Sequence, residues 1–160
     1  MATNLVKGVN SYVTVAEASV YFDNRLDVAA WTSADNEIRA QALVTATGIL
    51  DDMPWTGVAV NETQPLAFPR TGIYFDPRLG INVELSNTLP NRIYTATIEL
   101  AYHLLNNDGL LDDTGYVKEL TVGSISLNNA ITPNTIPHNV NRMIKPLLVN
   151  AGALNWWRAN

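Results

Sequence analysis

Few side chains in this sequence could do chemistry, and none of them forms a catalytic pattern. Glu99 and His103 are four residues apart, which would put two metal-ligand types on one helix face. A metal site needs one or two ligands more, so the expectation is an ion pair or a helix-surface contact. Asp51-Asp52 and Asp112-Asp113 offer adjacent carboxylates for acid–base work. Sequence neighbours point in different directions, however, and both pairs are expected as solvated turns. Gly123-Ser124 lacks the rest of a nucleophile elbow, and neither glycine-rich phosphate-cradling loop is present. The absence of cysteine excludes thiolate nucleophiles and cysteine zinc sites. The expectation is a protein that is not an enzyme, with no metal and no cofactor.

The residues that stand out are suited to contact. Trp156-Trp157-Arg158 places two large aromatics and a guanidinium in a short C-terminal stretch, and such residues are favoured interface anchors. The bland alternative is that they fold back on their own domain. Arg142 and Lys145 precede them, and Arg70 lies in a Pro/Gly-rich stretch. These six residues are the candidate partner contacts. Up to Glu119, seven basic and fifteen acidic residues give −8, whereas the three basic residues after it give +3. An acidic body with a basic C-terminal segment fits docking on an acidic partner, although a short segment can also carry such a bias by chance. The net charge of −5 argues against a broad phosphate-binding footprint.

The elements that must position these residues read as mostly helical. With 47% apolar and 16% charged residues in 160, the chain suits one packed domain. Thr14 and Glu17 make a capping box, and Val15, Ala18, Phe22 and Leu26 recur at helical spacing, predicting a helix over 15–26. Thr32 or Ser33 would cap a second helix, with Ile38, Ala42, Ala46 and Ile49 inward and an end near Leu50. Five prolines and three glycines punctuate 54–90, which predicts a long ordered loop with short extended pieces. Trp55, Leu66, Phe68, Ile73, Tyr74 and Phe75 are expected to anchor that loop to the helices. Pro90 suits the start of a third helix presenting Ile93, Ala96, Leu100 and Leu104, with a stop at Asn107-Asp108-Gly109. Alternation over 116–127 around Gly123 predicts a short β ribbon. A last helix from Val140 should kink or split at Pro146. The fold expected is a small bundle of about four helices with a long ordered loop and a short β ribbon. It forms one helical domain over 1–152, followed by a contact tail over 153–160. No export signal and no membrane span are read.

Three stretches then form a recognisable series: Ser11-Tyr12-Val13-Thr14-Val15-Ala16-Glu17-Ala18-x-x-Tyr21-Phe22, Pro54-Trp55-Thr56-Gly57, and Gln64-Pro65-Leu66-Ala67-Phe68-Pro69-Arg70-Thr71-Gly72. The likeness continues through Leu89-Pro90-x-x-Ile93-x-x-Ala96-x-x-Glu99-Leu100-Ala101, Val117-Lys118-x-x-x-Val122-Gly123-Ser124-Ile125-Ser126 and Val140-x-x-x-Ile144-x-Pro146-Leu147-Leu148. In order and spacing these resemble a tailed-phage family often labelled DnaT-like single-stranded-DNA-binding, whose members look like head–tail adaptors. Phe68 stands where that family usually has tryptophan, which keeps an apolar plug.

The resemblance implies a structural protein of the virion, made in the host cytoplasm. It would form a homo-oligomeric ring of twelve at the head–tail junction, between the portal protein and a tail or tail-completion protein. DNA would pass through without specific binding, and the acidic body suits such a conduit. The alternative is a replication accessory protein that binds single-stranded DNA. Its cationic contributors would be Arg70, Arg92, Arg142 and Lys145, diluted in sequence by carboxylates.

Overall fold

The computed structural model describes residues 3–107, 120–122, 125–127 and 136–149. Helix α1 (Val15–Asp23) starts at the capping box: Thr14 Oγ1 accepts from the Glu17 amide, and Glu17 Oε2 accepts from the Thr14 amide. It ends at Asp23, three residues before the expected Leu26, which is left 91% exposed. A short helix α2 (Ala29–Ser33) follows. Helix α3 (Asn36–Asp51) is capped by Asp35, whose carboxylate accepts from the Ile38 amide at 2.8 Å. The cap is therefore Asp35, not Thr32 or Ser33. Ala40, Leu43, Thr47 and Leu50 join the expected Ala42 and Ala46 on the buried face, while Ile38 is exposed.

Helix α4 (Asn91–Asn106) begins after Pro90, whose extended φ,ψ fits a helix entry, and buries the expected Ile93, Ala96, Leu100 and Leu104. Ile93, Leu100 and Leu104 each contribute roughly 1.5–3 kcal/mol on burial. Helix α1 lies along α4 in the same direction: Tyr94 OH donates to Glu17 O, Tyr21 OH to Glu99, and Phe22 packs on Tyr102. Helix α3 packs on α4 in the opposite sense. Its start lies by Trp31, which stacks on Phe22, and its end by Trp55 and the last described residues.

The helix-bundle expectation is overturned by residues 58–86. They form a three-stranded antiparallel sheet, β1 (Val58–Ala59), β2 (Arg70–Asp76) and β3 (Ile81–Ser86), in the order β1-β2-β3. The fold is mixed α/β. Proline and glycine here punctuate strands instead of breaking up a loop. Pro77 and Gly80 make the β2–β3 turn, in which Asp76 O accepts from the Leu79 and Gly80 amides and Gly80 adopts φ +70°. Gly57 and Gly72 meet where β1 crosses β2. A Cβ on Gly57 would lie 2.3 Å from Thr71 O, so only glycine fits.

The ribbon is present as β4 (Leu120–Val122) and β5 (Ile125–Leu127), paired antiparallel with Leu120 opposite Leu127. Helix α5 (His138–Ile144) passes into a 3-10 turn over Lys145–Leu147, the split expected at Pro146. Trp55 and Phe68 fill the space between sheet and helices, in edge contact at 5.2 Å. Ile73 and Phe75, expected as anchors, instead face outward. Trp156, Trp157 and Arg158, together with Asp112, Asp113 and Ser124, lie outside the described residues. Among the described residues no helix is long and apolar enough to cross a membrane.

Candidate nucleic-acid interface

Among the described residues, the candidates for chemistry make structural contacts. Asp51 receives Tyr12 OH and the Ala67 amide, tying the end of α3 to the loop before β2. Asp52 caps α3 and is exposed. Glu99 is buried and engages Arg25 and Tyr21, while the Asn107 amide lies against the His103 ring. Burial, helped by the Glu99 carboxylate, pushes the Tyr21 hydroxyl up to about 12. Among the described residues no group of three metal-ligating side chains occurs.

What the fold assembles instead is a basic cleft. Strand β2 ends on Asp76, which points to the inner face of the sheet and is buried. One Asp76 oxygen accepts from the Arg78 amide at 2.8 Å, fixing the turn, and from Arg92 at 2.6 Å; the other takes Arg92 Nε at 3.3 Å. Arg92, in the first turn of α4, also donates to Met143 O on α5 at 3.4 Å. One guanidinium thus joins the hairpin end, the start of α4 and α5. On α5 and the turn after it, Val140, Ile144 and Leu147 face the core, and Arg142 and Lys145 project from the other side. Between these walls runs an open cleft of about 670 Å³ lined by Arg78, Arg92, Arg142, Lys145, Asn139 and the Met143 stem. It leads into a pocket of about 360 Å³ under the sheet, where Tyr74, Leu85 and Thr88 take part in the lining.

Four cations and the Asp76 carboxylate give this cleft a local charge of +3 in a chain whose net charge is −5. Among the described residues no carboxylate lies within ion-pairing distance of Arg78, Arg142 or Lys145. All three are exposed, so their charge is available to a ligand.

Three of the four cations considered for single-strand binding, Arg92, Arg142 and Lys145, meet here. Arg70 does not. Its guanidinium donates to the carbonyls of Thr56 at 2.8 Å and Gly57 at 2.6 Å, and more loosely to those of Trp55 and Ala67. It clamps the segment that enters β1. Arg70→Ala should therefore lower unfolding stability by about 2 kcal/mol, read by denaturant titration, and leave anion binding unchanged. An unchanged denaturation midpoint would contradict the clamp. Arg78 was not singled out by sequence; the Asp76-Pro77-Arg78-Leu79-Gly80 turn signature was the available clue.

The Arg92 guanidinium holds the Asp76 carboxyl down at about 2. The folded state favours the ionised form, so this contribution is complete above the ordinary value of 3.8 and is lost as pH falls toward 2. Melting temperatures recorded from about pH 5 to about pH 2 should fall through that window, and Asp76→Asn should flatten this part of the profile. An equally steep fall in the variant would contradict the pairing.

A family model described as "Putative DnaT-like ssDNA binding protein" matches residues 2–159. The chain belongs to this family. The match runs through every element above, the sheet and both walls of the cleft included. No curated protein and no solved structure matched the chain.

Proposed function

We propose that this protein binds single-stranded DNA, with the strand's phosphates lying along the cleft formed by Arg78, Arg92, Arg142 and Lys145. The observation that carries this reading is the convergence of four cations, from three separate segments of the chain, on one open surface of a chain that is otherwise acidic. The family's description supports it. Arg78, Arg142 and Lys145 neutralise phosphates directly. Arg92, fixed by Asp76, holds the two walls at their spacing and contributes a weaker field. Such binding reads backbone charge and little sequence.

Fluorescence anisotropy with a labelled oligothymidine at about 50 mM salt tests the reading, with a dissociation constant in the range of about 1–100 µM expected. An unchanged anisotropy at about 1 mM protein would overturn it.

A second reading, a ring-forming adaptor at the head–tail junction of a tailed phage, is favoured by the separation of charge along α4. The basic cleft lies at its N-terminal end. At the other end Asp23, Asp27, Asp35 and Glu37 are all exposed, with Leu26 between two of them. Surfaces of opposite sign at opposite ends suit head-to-tail contacts that close into a ring. In that reading twelve copies sit between the portal and a tail-completion protein, DNA passes through, and Trp156, Trp157 and Arg158 reach the portal. Sedimentation of the pure protein and its co-purification with portal from virions test this. A monomer absent from virions sinks it.

A further inference from the structure

The sheet carries an outward face that no described residue covers, and its composition matches one kind of ligand. Residues paired across β2 and β3 share a face, so Phe75 with Asn82, Ile73 with Glu84, and Thr71 with Ser86 all look outward. Val58 of β1 continues this surface opposite Thr71. Phe75 is 55% exposed, Ile73 65% and Val58 69%, and Phe75 makes no ring contact with another aromatic of the described chain. The half-buried Tyr74 between them turns to the inner face, its hydroxyl toward Asp76.

We propose that Phe75, flanked by Ile73, is a base-stacking platform for the strand whose phosphates occupy the cleft. This inference rests on the single-strand reading above and deepens it. Phe75 is three residues from Arg78, so their Cα atoms are at most about 10 Å apart, a span that neighbouring nucleotides of one strand can share. The two sit at the same end of the hairpin, one on its outer face and one on the turn that forms the cleft wall. Every base has a π face, so stacking on a phenyl ring holds a strand without reading its sequence. Glu84, opposite Ile73, sets the orientation. Its carboxylate repels phosphate from the sheet, leaving bases over the apolar strip and the backbone toward Arg78. Cations that bind phosphates beside an exposed aromatic that takes bases are the two components that sequence-tolerant single-strand binding combines.

The test uses the full chain, a labelled oligothymidine and an abasic sugar–phosphate strand of the same length. Phe75→Ala should weaken oligothymidine binding about tenfold with the salt dependence unchanged, and should leave abasic-strand binding as in wild type. Phe75→Trp should keep wild-type affinity and lose part of its added fluorescence when oligothymidine binds. The side chain is exposed, so both variants should melt as wild type does. Oligothymidine binding by Phe75→Ala at wild-type strength overturns the platform and leaves the cleft reading standing. Equal losses for both strands also overturn it, because the contact is then not stacking. If Phe75→Ala instead lowers the sedimentation coefficient, the face joins copies of this chain and the platform is wrong. No binding of any strand by wild type removes the platform and the cleft reading together.

Discussion

Trp55→Ala should lower unfolding stability by about 4 kcal/mol and the thermal midpoint by roughly 10 °C. The ring is buried, packs edge-on against Phe68, and donates its indole N–H to Leu50 O at the end of α3 at 2.9 Å. The backbone around it is just as engaged. The Thr56 amide donates to Leu147 O, Val149 donates to Pro54 O, and Trp55 bridges Leu148. Three layers meet at this side chain: the end of α3, the entry to the sheet and the turn after α5. Truncation leaves a cavity the size of an indole where none of them can collapse independently. Calorimetric melting checks it, and a shift under about 3 °C would show that the wedge is not needed.

Replacing Arg142 and Lys145 together by glutamate should weaken single-stranded DNA binding at least about 100-fold while leaving the melting temperature unchanged. Both side chains project away from the face of α5 that buries Val140 and Ile144, so the fold does not depend on them. The exchange removes four units of charge, taking the cleft from +3 to −1. Glutamine at both positions should have a smaller effect, about a tenfold loss, with a salt slope flatter by about 1.4 for the two phosphate contacts removed. Wild-type affinity in the glutamate pair would exclude the cleft as the binding surface.

The helices were readable from sequence where local chemistry fixed them. The Thr14–Glu17 box starts α1, Pro90 introduces α4, and Pro146 ends α5, because each signal concerns backbone groups within one turn. The inward face of α3 was read in part: Ala42 and Ala46 are buried as expected, but Ile38 is exposed, and the true cap, Asp35, lies two residues beyond Ser33. The sheet was hidden for a different reason. Its amphipathicity is inverted, with Ile73 and Phe75 outward and Arg70, Tyr74 and Asp76 inward, so the apolar residues suggested anchors of a loop. Inward polar residues tolerate that position only because each finds partners: Arg70 its carbonyls, Asp76 its arginine.

Three of the cleft's cations, Arg92, Arg142 and Lys145, were legible as candidates, but their convergence was not. Arg92 and Arg142 are fifty residues apart, and four exposed carboxylates, Asp23, Asp27, Asp35 and Glu37, are carried to the far end of α4 by the direction of α1 and the antiparallel α3. Folding thus concentrates charge that the sequence disperses.

The salt dependence of oligothymidine binding by the wild-type protein tests the cleft most directly. Three exposed cations on phosphates imply that log K falls against log salt with a slope of about −2. A slope near zero, or no binding at about 50 mM salt, would contradict phosphate recognition by Arg78, Arg142 and Lys145.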